Sequence, residues 1–158
     1  MLRRETHIAR KSIRGIVLLA LLPDILQLVP ILGWVALGDG SIQSVYEYVL
    51  ATPGAEPVLP PIVQSLVHHM HWAAHSAIVA GAVTLLVWFV HRQWLLPLLG
   101  WWSHIIIDVF THSKDYYPAP VLYPITYRGF DGIAWNTPIF MLLNYLLLAA
   151  IYVPIAHA

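Results

Sequence analysis

Imidazole and carboxylate side chains recur at helical spacing in two apolar stretches of the chain. They stand at i, i+3, i+7 in the first stretch and at i, i+4, i+8 in the second: His68, His71, His75 and then His104, Asp108, His112. This spacing places each series on one face of a helix. Zinc, manganese and ferrous iron accept neutral imidazoles and carboxylates as ligands, so the pattern indicates a divalent metal site.

Residue counting places these groups at one depth. His75 stands 17 residues before Arg92, and Asp108 stands 16 residues after it. If a turn at Arg92 joins two antiparallel helices, both side chains lie about 25 Å from that turn. Asp24 follows Arg14 by ten residues, which corresponds to about 15 Å of helix. We therefore expect four leading ligands, with two further histidines as ligands or proton relays: Asp24, His75, His104 and Asp108, then His71 and His112.

The composition indicates a membrane environment for this site. Of the 158 residues, 59% are hydrophobic and only 10% are charged, whereas a soluble domain has about 25% charged residues. The net charge is zero with histidine neutral, which argues against nucleic-acid binding. The absence of cysteine excludes disulfides, iron–sulfur clusters and thiolate zinc sites.

Four apolar segments are long enough to form membrane helices, and the chain shows no linker or repeat. We predict an all-α polytopic membrane protein, a bundle of about four transmembrane helices in a single domain, residues 1–158. The first helix should be kinked near its two prolines, and the second stretch would be about 50 Å long if wholly helical. The segments are Ile13–Leu37 with Pro23 and Pro30, Val58–Val90, Trp94–His112 and Asn136–Ile155.

Two polar connections complete the predicted topology. Gly38–Pro61 is rich in turn residues and should contain a short helix over Ile42–Leu50. Ser113–Trp135 is rich in proline, glycine and tyrosine. Six of the eight basic residues lie before Gly15 or in the turn at Arg92, so the positive-inside rule places both termini in the cytoplasm.

Several of these residues form recognisable motifs. The block Ser103-His104, Asp108, Thr111 with the downstream Tyr123-Pro124 resembles prokaryotic membrane-bound metal-dependent hydrolases, described as LexA-binding and inner-membrane-associated. Shorter matches are Leu22-Pro23-Asp24, Ala74-His75-Ser76 and Thr6-His7. The resemblance covers most of the chain and implies metal-dependent hydrolysis at the cytoplasmic (inner) membrane of a prokaryote.

The expected activity is attack of a metal-activated water on an ester or phosphoester, with a lipid or lipid-linked compound as the natural substrate. Zinc is the favoured metal, with manganese or iron as alternatives. Asp24 and Asp108 are the expected catalytic carboxylates. Lys114, Tyr123 and Arg128 are the expected substrate-binding residues, because they belong to the connection on the outer side of the site.

The sequence leaves other functions open. The polar residues could form a hydrogen-bonded seam between helices in a scaffold, or conduct metal or protons in a transporter, alone or as a homo-oligomer. Paired histidines could also hold haem in an electron carrier, although haem would not account for the two aspartates. Whether His7, His71 and His112 bind the metal is also open.

Overall fold

The structure is a computed structural model that describes residues 2–156, with side chains from residue 12 onward. The described residues form seven α-helices and one 3₁₀ turn, and they contain no β-strand. In chain order these are α1 (Leu2–Leu26), α2 (Val29–Leu37), α3 (Ile42–Leu50), α4 (Pro61–Ala74), α5 (Ala77–Val90), the 3₁₀ turn (Arg92–Trp94), α6 (Leu95–Thr111) and α7 (Pro138–Ala156). The all-α prediction is confirmed for this part of the chain.

Two to four membrane spans are compatible with the helices. The segments Arg92–Thr111 and Pro138–Ala156 are each long and apolar enough to cross a bilayer. Two further pairs qualify only if each bent pair counts as one span: α1 with α2, bent by 59°, and α4 with α5, bent by 64°. The chain is therefore consistent with a membrane protein, and the predicted four spans require both bent pairs to cross.

The first bend lies between Leu26 and Val29, beside Pro30. Pro30 occupies the first turn of α2, where a missing backbone N–H costs nothing. Pro23 lies inside α1 without ending it. The predicted interruption of this apolar segment is therefore confirmed, and it occurs at the second of the two prolines.

The second bend corrects our expectation of one helix over Val58–Val90. Instead, α4 ends at Ala74 and α5 starts at Ala77. The Ser76 hydroxyl accepts hydrogen bonds from two backbone N–H groups at the start of α5, and it donates one to the carbonyl of Tyr123 at 2.6 Å. Trp101 Nε1 donates to the carbonyl of Ala74, also at 2.6 Å. The Ser76 cap and the hydrogen bonds with Tyr123 and Trp101 thus stabilise a break between α4 and α5 where we expected a continuous helix.

Close contact between α1 and α6 dominates the packing. Gly100 of α6 lies directly against the α1 backbone, so that a β-carbon there would overlap the carbonyl oxygen of Ile16. It would also lie 3.0 Å from the Ala20 nitrogen. The missing side chain at Gly100 lets these helices approach, and this approach brings Asp24 toward α6.

The first polar connection contains α3 with the predicted bounds, and Ser41 caps its first turn. Next to it, four buried side chains join the connection to α2 and α4: Ile31, Leu59, Val63 and Val67. Tyr48 of α3 packs against this cluster. The connection is therefore folded onto the helices.

Helix α7 does not contribute buried side chains to the packing described above. None of its described side chains is buried, and the apolar surface faces outward along its length. It begins two residues later than the predicted segment. The described helices therefore do not form one four-helix bundle, because α7 adds a candidate span without adding to the core.

The second connection folds back onto the end of α6. Gly132, Ile133 and Trp135 donate backbone hydrogen bonds to carbonyls of residues 110–112, at 2.8–3.0 Å. These bonds satisfy carbonyl groups that a helix end leaves without intrahelical partners. The connection is thereby fixed beside the polar residues of α6.

Candidate metal centre

Three helical segments contribute to one cluster of imidazole and carboxylate groups, which we call the His–Asp cluster: Asp24, His75, His104 and Asp108. Asp24 lies near the end of α1, one residue after Pro23. His75 follows the last residue of α4 at the second bend. His104 and Asp108 are one turn apart on α6, as predicted. The two bends and the α1–α6 contact therefore position the cluster.

The ligand atoms of the cluster lie within a few ångströms of one another. His75 Nε2 is 3.1 Å from His104 Nε2, and Asp108 Oδ2 lies 3.2 and 3.1 Å from these two nitrogens. Asp24 Oδ1 is 3.5 Å from His75 Nε2 and 3.7 Å from His104 Nε2. Asp24, His75 and His104 could hold a metal ion, because one ligand atom from each lies within 4.8 Å of the others.

These separations suit a small divalent cation. Bonds of about 2.0–2.1 Å from zinc to imidazole nitrogen or carboxylate oxygen give ligand separations of about 3.3–3.4 Å at the corners of a tetrahedron. The five separations above range from 3.1 to 3.7 Å. Asp24, His75 and His104 therefore fit one metal ion, whereas Asp108 is not part of the group whose ligand atoms all lie within 4.8 Å of one another.

The orientation of His75 also suits a ligand. Its Nδ1–H donates to the carbonyl of His71 at 2.7 Å, which directs Nε2 into the cluster. Metal-binding histidines generally donate their second ring nitrogen in this way, and the bond fixes the orientation of the ring. His75 is almost fully buried, with 2% of its side chain exposed.

The cluster holds more acceptors than protons when its imidazoles are neutral. With Nδ1 of His75 protonated, its Nε2 presents a lone pair toward the lone pairs of Asp24 and Asp108. A single proton on His104 Nε2 cannot serve three acceptors with good geometry. With a second imidazole proton, both N–H groups could donate to the neighbouring carboxylate oxygens, and the cluster would be a hydrogen-bonded seam. With both imidazoles neutral, a divalent cation could instead accept the lone pairs of Asp24, His75 and His104.

The cluster is open on one side. His104 and Asp108 are 12% and 10% exposed, whereas the Asp24 side chain is 60% exposed. Asp24 is therefore the carboxylate that a molecule entering from outside the helix packing would meet. The buried members hold their positions through α4 and α6.

His71 and His112 lie next to members of the cluster. The rings of His71 and His75 contact each other, with centroids 4.2 Å apart, and His71 Nδ1 is buried without a hydrogen-bond partner among the described residues. His112 Nδ1 lies 3.7 Å from Asp108 Oδ1 and donates to the Asp108 carbonyl at 3.2 Å. His112 therefore contacts the carboxylate oxygen that faces away from His75 and His104. The His7 side chain lies outside the described residues.

The three residues predicted to bind substrate have separate contacts. Lys114 Nζ forms a salt bridge with Asp131 at 3.5 Å on the exposed connection. The pKa of Asp131 is lowered by the Lys114 backbone N–H and ammonium group beside it. The Tyr123 hydroxyl lies 3.1 Å from His69 Nδ1, and Arg128 is exposed. Of these residues, Tyr123 lies nearest the second bend, through its carbonyl.

The sequence predicted Trp101 as a packing or interfacial anchor and Ser76 as part of a motif, but it did not predict that both fix the backbone on either side of His75. A serine before an apolar helical run is a capping signal, and it could have revealed the break. The contact of Trp101 with Ala74 has no such signal, because it joins residues that are distant in the chain.

Comparisons of the chain with models of protein families, with curated proteins and with solved structures found no match.

Proposed function

We propose that the protein is an integral-membrane hydrolase that uses a divalent metal at the His–Asp cluster to cleave an ester or phosphoester. The supporting observation is the convergence of two imidazole nitrogens and two carboxylate oxygens from three helical segments, at 3.1–3.7 Å. The proposed ligands are Asp24, His75, His104 and Asp108. Zinc suits this nitrogen and oxygen set best, and manganese or iron are the alternatives.

When bound, a divalent cation acts as a Lewis acid that polarises the substrate oxygen and lowers the pKa of water. His75 and His104 orient the site, and the bond from His75 to the His71 carbonyl prevents rotation of that ring. Whichever of the carboxylates Asp24 and Asp108 did not bind the metal would accept the proton of the attacking water. When Asp108 is that base, His112, beside its second carboxylate oxygen, can pass the proton onward.

The proposed substrate is a lipid or lipid-linked ester or phosphoester. A membrane substrate is supported by His104 and Asp108, which belong to a candidate span, and by the exposure of Asp24 on the open side of the cluster. We propose that the second connection reaches the substrate through Tyr123, with Lys114 and Arg128 attracting an anionic group. The motif resemblance supports a prokaryotic cytoplasmic membrane, and the positive-inside rule supports cytoplasmic termini.

A haem-binding electron carrier is disfavoured by geometry. The two facing imidazole nitrogens are 3.1 Å apart, which leaves no space for a macrocycle between them. Metal or proton transport uses the same ligands without bond cleavage, so it is the principal alternative.

A substrate screen tests the proposal. Protein purified in a maltoside detergent without chelators would be assayed against chromogenic carboxylic and phosphoric esters, with zinc or manganese supplied. His104→Ala and Asp108→Asn should abolish turnover, since each loses a proposed ligand. The matched controls His91→Ala and Asp39→Asn alter exposed residues outside the cluster and should retain it. If metal binds the cluster but every ester remains intact, the transport alternative is favoured.

A further inference from the structure

A cavity of about 320 Å³ lies beside the His–Asp cluster, between the first connection and α4. Its walls include Tyr48 and Glu56 from that connection, Gln64 and Trp72 from α4, and Tyr117 from the second connection. The first connection, the helix α4 that follows it and the distant second connection therefore line the cavity. The volume is at the lower end of the range for small-molecule sites.

His71 connects this cavity to the cluster. Its imidazole lines the cavity and contacts the ring of His75, with centroids 4.2 Å apart. One imidazole thus separates the cavity from the proposed metal ligands. The cavity and the cluster therefore lie on either side of the His71 ring, and no cluster residue is among the described residues that line the cavity.

The charge and aromatic content of the walls indicate what the cavity binds. Glu56 is the one formally charged residue among the described residues that line it. The Glu56 carboxylate accepts a backbone hydrogen bond from Gly54 at 2.8 Å, and it forms no salt bridge within the described part of the chain. Burial and this carboxylate raise the pKa of both Tyr48 and Tyr117, so the two phenols stay neutral.

We propose that this cavity binds an organic ammonium group, which would make the substrate an ester or phosphoester with an ammonium-bearing headgroup. The Glu56 carboxylate, which forms no salt bridge within the described residues, and the aromatic rings of Tyr48, Trp72 and Tyr117 provide the charge and the aromatic groups that recognise such a group. An anionic group would face Glu56 without a lysine or arginine on the described walls. The inference rests on the proposed function for the chemistry at the cluster, but the ammonium site itself does not require catalysis.

A binding measurement without catalysis gives the first test. Choline and its uncharged isostere 3,3-dimethylbutan-1-ol would be titrated into the full chain in maltoside micelles, with saturation-transfer NMR as the readout. The wild type should bind choline about tenfold more tightly, because only choline has the positive charge. Equal affinities would overturn the proposal, and this comparison requires no variant.

Variants then assign the charge effect to one residue. Glu56→Gln should remove most of the preference for choline and leave the isostere unchanged. Glu47→Gln makes the same change on exposed α3, outside the cavity, and should retain the preference. Choline binding unaffected by Glu56→Gln would contradict the proposal.

Measurements of ester turnover distinguish failure of the ammonium site from failure of the proposed hydrolase function. p-Nitrophenyl phosphocholine and p-nitrophenyl ethyl phosphate release the same chromophore, and the first should have the lower KM in the wild type but not in Glu56→Gln. If choline binds through Glu56 while neither ester is cleaved, the ammonium site stands and the hydrolase proposal fails. If both esters are cleaved with the same KM, the ammonium proposal fails and the hydrolase proposal stands.

Discussion

Gly100→Ala should displace Asp24 from the His–Asp cluster without altering any ligand. A β-carbon at residue 100 would overlap the Ile16 carbonyl oxygen and would lie 2.8 Å from the carbonyl carbon of that residue. Non-bonded carbon atoms pack at about 3.5–4.0 Å, so α1 would have to retreat by about 1 Å. Overpacking of this kind costs about 1–3 kcal/mol, and the melting temperature should fall by about 2–4 °C for each kcal/mol.

The same displacement should reach the metal centre. Asp24 lies one helical turn beyond Ala20, about 6 Å along α1, and the helix would carry the shift to it. Asp24 Oδ1 already has the longest separations in the cluster, 3.5 and 3.7 Å, and a further 1 Å would remove it from the ligand group. Metal content should therefore fall together with the melting temperature.

Thermal melts and elemental analysis of detergent-solubilised protein measure both effects. Gly81→Ala is the matched control, because it changes a glycine inside α5 where a β-carbon has no neighbour within 4 Å. That variant should keep its metal and melt at the same or a higher temperature, since alanine favours the helix. Wild-type stability and metal content in Gly100→Ala would refute the argument that α1 positions Asp24 through this contact.

Three other predictions concern topology, the second bend and substrate binding. Cysteines placed at Gly54 and Tyr116 should react with an impermeant thiol reagent in intact cells, whereas one at Gln93 should react only after permeabilisation; the reverse pattern would invert the proposed orientation. Ser76→Ala should lower the free energy of unfolding by about 1–2 kcal/mol, because the variant loses both the helix cap and the 2.6 Å bond to the second connection, and denaturant melts measure this. Arg128→Ala should keep its metal but raise KM for an anionic ester, as measured by steady-state kinetics; loss of metal would show that the residue supports the cluster instead.

Two controls accompany these variants. Ser65→Ala alters an exposed serine on α4 and should leave stability unchanged. Arg92→Ala removes an exposed arginine at the other end of the helices and should leave KM unchanged.

Apolar segments and turn residues predicted most of the helices. The bounds of α3 agree with the expectation, and α6 and α7 differ from theirs by one or two residues at each end. These elements follow from local properties, namely capping, proline positions and continuous hydrophobicity. The break at Ser76 depends also on the carbonyl of Tyr123, which lies 47 residues further on. Hydropathy alone could not reveal it.

Most of the His–Asp cluster could be predicted from the sequence, because helical spacing and residue counts limit how deep each side chain lies along its helix. Counting from Arg92 placed His75 level with Asp108, and these side chains lie 3.2 Å apart in the structure. The approach of α1 to α6 was not predictable, because it depends on Gly100 facing Ile16 across two segments. The cavity could not be predicted from the sequence either, because Glu56 and Tyr117 belong to connections whose folding depends on tertiary contacts.

Elemental analysis of the full chain, purified without chelators, shows whether the His–Asp cluster binds a metal. We expect about one equivalent of a divalent transition metal in the wild type and in Asp39→Asn, and loss of that metal in Asp108→Asn. Less than about a tenth of an equivalent in the wild type after zinc or manganese is supplied, or full occupancy in Asp108→Asn with only a lower melting temperature, would identify the cluster as a packing seam.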